Sequence, residues 1–100
     1  MAGPPAAFVG YSAALADDGV LDAQPAAGGE AVIHNIWATG SAEVYVHNGA
    51  NTSLLFTITG GGPLQFLCLH VTNTQYITIK NINGDAQDVG YDGIYTVIET

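Results

Sequence analysis

Three histidines are the residues of this sequence most suited to hold a metal ion: His34, His47 and His70. None of them belongs to a His-x-His or His-x-x-x-His pair, the spacings that would bring two imidazoles to one face of a strand or helix. A zinc site needs three or four ligands that converge at one point. The spacing therefore favours ordinary hydrogen-bonded or interface histidines, and we expect neither a metal nor a cofactor.

Acidic residues near the end of the chain could bind calcium. Asp85, Asp88 and Asp92 occur within residues 84–93. Calcium takes several oxygen ligands from a flexible loop, but this spacing differs from that of an EF-hand and has no bidentate glutamate at the required place. Asp92 and the glycine after it are a typical turn pair, so we predict that these acids cap turns.

Nucleophilic catalysis would need a serine, threonine or cysteine beside a base. Cys68 and His70 are two residues apart and would share one face of a strand, but no charged residue near them in sequence would stabilise a thiolate. Because leucines flank it, Cys68 is predicted to be a small buried side chain. The glycine run at 60–62 precedes a proline rather than a lysine, so it is not a phosphate loop. We therefore predict that the protein is not an enzyme.

Aromatic residues could instead support carbohydrate binding. Rings that could stack on sugars, with Asn and Asp side chains bonding the hydroxyls, are Trp37, Tyr45, Tyr76, Tyr91 and Tyr95. Tyrosine and tryptophan are also ordinary strand and interface residues. A glycan-binding or host-surface-binding module is therefore the alternative to a purely structural role.

The charge balance narrows the possible partners. The chain has 100 residues, nine of them acidic, and Lys80 is its only base, so the formal net charge is −8. Nucleic-acid binders need several lysines or arginines to neutralise phosphates, and an anionic membrane surface would repel this chain. We therefore expect neither a nucleic-acid nor a membrane partner. The hydrophobic fraction of 48% predicts a folded domain rather than an acidic disordered tail.

Turn signals divide the later part of the chain into short strands. The predicted strands are 32–37, 42–47, 53–59, 64–71, 75–81, 88–91 and 94–98. Short strands at about ten-residue spacing, separated by turn pairs such as Asn48-Gly49, are typical of all-β sandwiches and barrels. We predict an all-β fold: a small antiparallel β-sandwich or jelly-roll-like barrel over residues 31–100, with an extended N-terminal arm over residues 1–30.

Side-chain alternation predicts an apolar surface left over outside the core. In strand 53–59 the alternate residues Leu54, Phe56 and Ile58 are predicted to point inward. Strand 64–71 is apolar on both faces, and only one face of each sheet can point to the core. We predict that the second apolar face and the arm form a partner interface, made of Phe8, Val9, Tyr11, Leu15, Val20, Leu21, Leu67, Leu69, Val71, Tyr95 and Val97.

Two stretches resemble small β-sandwich proteins of tailed bacteriophages. They are residues 24–36 (QPAAGGEAVIHNI) and residues 71–81 (VTNTQYITIKN), the second followed by GYDGI at 90–94. The phage proteins in question are capsid decoration, or cement, proteins and head-fibre components. The resemblance implies a structural virion protein without catalytic residues, assembled in the host cytoplasm and bound to the major capsid protein on the outer capsid surface. The leftover apolar face predicts a homo-oligomer, and the resemblance implies that its form is a trimer.

Overall fold

The protein folds into two antiparallel β-sheets, here seen in a computed structural model that describes residues 6–97. Sheet A contains, in spatial order, β1 (Gly10–Leu15), β9 (Gln87–Val97) and β3 (Glu30–Ala38), followed by β6 (Gly62–Leu64) and β7 (Leu69–Thr72), which both pair with β3. Sheet B contains β2 (Val20–Ala23), β8 (Gln75–Asn81), β4 (Ala42–Asn48) and β5 (Asn51–Ile58). The predicted all-β sandwich is confirmed.

The strand order is that of a jelly roll. Strands β6 and β7 are two halves of one interrupted edge strand, because both run antiparallel to β3 and only residues 65–68 separate them. Counted this way, the first strand pairs with the last, the second with the seventh, the third with the sixth and the fourth with the fifth. A long hairpin that rolls up in this way places its successive strand pairs alternately in the two sheets.

The N-terminal segment forms edge strands where the structure describes it, and the expected extended arm is not shown. β1 pairs with β9 at the edge of sheet A, and β2 pairs with β8 at the edge of sheet B. Phe8 is only 4% exposed, and its backbone N–H donates to the Gly93 carbonyl. Pairing backbone groups and burying this ring stabilises the segment more than solvent exposure would. Residues 1–5 of the expected arm lie outside the described residues.

The core lies between the two sheets and follows the predicted alternation over most of its length. The largest apolar side chains that are fully buried there are Ile33, Ile36, Val44, Val71, Ile77, Ile79 and Val89. Strands that alternate in this way bury one face of each sheet, which is the usual arrangement in a sandwich. In β4 and β8 the alternate residues Val44, Ile77 and Ile79 occupy this buried face.

Two irregularities overturn the alternation elsewhere. A register shift between Val44 and Tyr45 leaves Leu54 opposite Tyr45 on the outer face, so Leu54 is 52% exposed rather than buried. The predicted strand 64–71 is interrupted at residues 65–68, and Leu69 packs against the core. A bulge adds an unpaired residue to one strand, so side chains beyond it change face.

Candidate functional site

The residues predicted to form a partner interface are divided between the core and several surfaces. Phe8 and Val71 are buried within this chain. Partly buried and packed against the core are Leu15, Leu21, Leu67, Leu69 and Tyr95, and Val97 is half-buried. More than half exposed are Val9, Tyr11 and Val20. The two buried side chains are already covered by the chain's own packing, so the apolar surface open to a partner differs from the predicted one.

Three other apolar side chains are exposed on one lateral side of the sandwich. Phe66 is 96% exposed, and Leu54 and Leu55 are also exposed. Strand β5 ends sheet B, the interrupted strand β6–β7 ends sheet A, and these two edges lie against each other. We call the surface formed by β5, β6, residues 65–68 and β7 the lateral side. Side-chain alternation in the sequence does not predict this surface, because it does not show where an edge strand is interrupted.

The lateral side carries no formal charge. The sequence from Val44 to Ile79, which contains all of its residues, has no Asp, Glu, Lys or Arg. The acidic residues of the described chain lie instead in β2, β3, β4, β9 and the loops at 16–19 and 82–86. The cores of protein interfaces are depleted of charged residues and enriched in aromatic ones. The lateral side shares this depletion of charge.

Phe66 holds a backbone conformation that bulky side chains disfavour. Its φ angle is 59°, in the left-handed region. A residue with a β-carbon loses roughly 1–2 kcal/mol in this region relative to the right-handed one. The Leu67 N–H donates to the His34 carbonyl over 2.9 Å and ties the interruption to β3. Since the Phe66 ring is almost fully exposed, packing within the chain does not offset the strain.

A second group of aromatic residues lies on the outer face of sheet A. Tyr11 of β1 is opposite Gly90 of β9, and Gly90 is opposite Trp37 of β3. A β-carbon on Gly90 would clash with Cζ2 of Trp37, so the indole covers the glycine backbone. The Tyr11 and Trp37 ring centroids are 5.3 Å apart, with 35° between the ring planes. The two rings form a continuous aromatic surface, which we call the aromatic platform.

Hydrogen-bonding groups flank the aromatic platform. The Asp88 carboxylate accepts from the Ala14 N–H over 2.9 Å. A hydrogen bond to Asp88, with smaller contributions from desolvation and from the negative charge, raises the pKa of Tyr11 above its ordinary value. On the other side, the Asp92 carboxylate accepts from the Asn35 amide over 2.7 Å. The platform therefore has a carboxylate at each of two opposite borders.

A chain of hydrogen bonds crosses the outer face of sheet B. Thr78 donates to the Asp22 carboxylate over 2.7 Å, because a carboxylate can only accept. The Thr78 oxygen then accepts from His47 Nε2 over 2.6 Å, and His47 Nδ1 accepts from the Thr52 hydroxyl over 3.0 Å. The four side chains come from the four strands of sheet B, so the bonds link neighbouring strands across the whole sheet.

The other candidate chemical groups are dispersed. His34 is exposed, and His70 Nε2 lies 2.9 Å from a carboxylate oxygen of Glu30. Cys68 is exposed, so the prediction that it is buried is wrong: the interruption at 65–68 carries it away from the core. Residues 6–97 contain no group of three or more His, Cys, Asp or Glu side chains placed to hold a metal ion.

Known protein families and curated protein sequences supply no relative of this chain. No protein-family model matches the chain, and no curated protein sequence matches it. Within residues 6–97 the structure has no helix with the length and apolar character needed to span a bilayer. The proposals below therefore rest on the lateral side and the aromatic platform.

Proposed function

We propose that this protein is a non-enzymatic structural component of a bacteriophage virion, which binds the major capsid protein on the outer surface of the capsid. The observation that supports this most is Phe66, a bulky side chain that is 96% exposed in a strained backbone conformation. Strain that the fold itself does not require is concentrated at functional positions in proteins.

Phe66 has the properties of an interface anchor. Aromatic side chains that insert into a pocket of the partner contribute most of the affinity in many complexes, while the surrounding contacts exclude water. Its neighbours Leu67 and Cys68 lie in the same interruption of the edge strand and carry no charge, so they can supply those surrounding contacts. Full burial of one large apolar side chain contributes about 1.5–3 kcal/mol, so a few such contacts support stable attachment.

The charge distribution fits a molecule bound by one side. A net charge of −8 on a chain with one base keeps the remaining surface hydrated and disfavours nonspecific association. It also disfavours binding to packaged nucleic acid, which is negatively charged as well. Attachment through the lateral side would leave the acidic surface directed towards solvent.

Self-association is part of the same proposal, with a trimer as the expected form. Strand β5 is the outermost strand of sheet B and bears Leu55 among uncharged residues. An uncharged edge strand presents unpaired backbone groups to which another chain can pair. We propose that β5 contacts a neighbouring copy while Phe66 contacts the capsid surface.

The test is co-sedimentation with capsids of the phage that encodes the chain, stripped of accessory proteins. Phe66→Asn should abolish co-sedimentation of the protein. Val20→Asn is the matched control, because Val20 is also apolar and exposed but belongs to β2, on the opposite lateral side. Failure of the wild type to bind, or equal binding by both variants, would overturn the proposal.

A further inference from the structure

The aromatic platform has features that attachment through the lateral side does not use. Trp37 belongs to the central strand β3, and Tyr11 belongs to the far edge strand β1. One face of the indole covers Gly90, and the ring as a whole is partly exposed. Tyr11 is 58% exposed. The two rings, inclined to each other by 35°, therefore present an apolar surface that is open to solvent mainly at Tyr11.

This surface is preorganised. Trp37 rests on the backbone of β9, and its ring contacts that of Tyr11 at a centroid distance of 5.3 Å. Both rings stand on paired strands of a sheet rather than on a loop. A ligand that stacks on rings held in this way loses little free energy to the ordering of side chains.

Polar groups lie where the edges of a stacked ligand would be. Asp88 and Asp92 are two residues before and two residues after Gly90 on the same strand, so both project from the face that bears the platform. Each is then roughly 6–7 Å along the strand from Gly90. A carboxylate accepts hydrogen bonds through two oxygens, so it can bond a ligand hydroxyl while retaining its partner in the chain.

We propose that the aromatic platform binds neutral carbohydrate. One pyranose ring stacks its C–H face on Trp37 and Tyr11, and its hydroxyls donate to the carboxylates of Asp88 and Asp92. Hydrogen bonds from a hydroxyl to a carboxylate are stronger than those between neutral groups, so the two acids orient the ring. The proposal goes beyond capsid attachment and does not depend on it, since it uses none of the lateral-side residues.

The charges of the site distinguish sugars from other ligands. Two carboxylates in a protein of net charge −8 repel acidic sugars and phosphates. Quaternary ammonium ligands are recognised in cages of aromatic rings, whereas these two rings line one side only. A protein partner would need to bury the two carboxylates, and interface cores are depleted of charge. A neutral molecule with one apolar face and hydroxyl-bearing edges fits all of these conditions.

Fluorescence provides a direct measurement, because Trp37 is the only tryptophan of the chain. The full-length protein is first applied to an array of multivalent neutral oligosaccharides built from glucose, galactose, mannose and N-acetylhexosamine units. The strongest oligosaccharide is then titrated while the Trp37 emission is followed. Stacking on the indole should shift the emission to shorter wavelength, and raising the NaCl concentration should leave the affinity unchanged, since the ligand carries no charge.

Tyr11→Ala should weaken sugar binding by about tenfold, which corresponds to the loss of one stacking contact. The matched control is Tyr45→Ala: Tyr45 is also a strand tyrosine beside a carboxylate, but it lies on the outer face of sheet B, where it donates to the Glu43 carboxylate over 2.6 Å. Asp92→Asn is a second variant that keeps the ring pair and removes one charge, and it should also weaken binding.

The outcomes separate this proposal from the previous one. Phe66→Asn should bind sugar as the wild type does. The carbohydrate proposal would be overturned by the absence of binding across the neutral array, or by an equal loss of sugar affinity in Tyr11→Ala and Tyr45→Ala. It would also be overturned if the Trp37 emission responded to choline chloride, in a salt-sensitive way, and not to sugar.

Discussion

At Phe66 the requirements of a stable fold and of partner binding conflict. Asparagine tolerates the left-handed backbone region better than phenylalanine does, so Phe66→Asn should raise the free energy of unfolding of the isolated chain by about 0.5–1 kcal/mol. Phe66→Ala is the control, because alanine also removes the ring but retains the backbone strain, and it should change stability little. Urea unfolding measures both. A loss of stability in Phe66→Asn would show that the ring contributes to the fold.

Asn81 is a fully buried polar side chain that joins the two sheets at one end of the sandwich. Its amide donates to the carbonyls of Leu15 and Asp85, both over 2.8 Å, and its oxygen accepts from the Asn83 N–H and from the Gln87 side chain. Asn81→Leu removes these hydrogen bonds and leaves the buried Gln87 amide without one of its acceptors. We expect a loss of about 3 kcal/mol in urea unfolding, against less than about 0.5 kcal/mol for the exposed Asn48→Leu.

Tyr91 should make the fold sensitive to alkali. Its burial, together with the nearby Tyr95 and Asp22, raises its pKa above the ordinary value of 10.0. Above pH 10 the unfolded chain therefore releases the Tyr91 proton before the folded chain does, which favours unfolding. The stability associated with this group is complete below pH 10 and is lost as the pH rises through the folded pKa.

Urea unfolding between pH 8 and 11 measures this effect. Tyr91→Phe retains a ring to stack on Phe8, whose centroid is 5.0 Å away. The variant should lose less stability than the wild type between the two pH values. Its stability at pH 8, where the tyrosine is protonated in both states, is the internal reference. Parallel curves for the two proteins would contradict the assignment.

The sequence predicts an extended arm where the structure has the edge strands β1 and β2. They are short and come from an alanine-rich segment, so their sequence resembles an arm, but each completes the edge of a sheet. Deletion of residues 1–29 removes both strands and Phe8, and it leaves β8 and β9 with unpaired edges. We expect this fragment to lose cooperative unfolding in urea and to aggregate on size-exclusion chromatography. A monomeric fragment that unfolds cooperatively would contradict this.

The regular strands can be predicted from turn pairs and side-chain alternation, whereas the interrupted edge strand cannot. Asn48-Gly49 marks the turn between β4 and β5, and the alternation of β8 locates its buried isoleucines. The interruption at 65–68 has no such mark, because leucines and a phenylalanine continue the apolar run through it. Tyr11 and Trp37 meet only because β9 pairs with both of their strands, so no local pattern could have placed them together.

For the whole molecule, the segregation of charge predicts how association depends on salt. Copies that meet through the uncharged lateral side still repel each other through their net charge of −8. Raising the NaCl concentration from about 0.01 M to 0.15 M shortens the screening length from about 30 Å to 8 Å and should therefore strengthen self-association. Sedimentation velocity measures this. Leu55→Lys should remain monomeric at both concentrations, whereas a wild-type oligomer that dissociates with salt would contradict the prediction.

The nested strand order also sets the order of events during synthesis. β9 is the last strand to be made, yet in sheet A it lies between β1 and β3. A nascent chain that has not yet exposed residues 87–97 outside the ribosome cannot assemble sheet A, and β1 emerges long before its only partner. Folds dominated by pairings between distant segments form slowly, over milliseconds to seconds. The unfinished chain therefore presents open strand edges to the solvent, a state in which chaperone binding competes with aggregation.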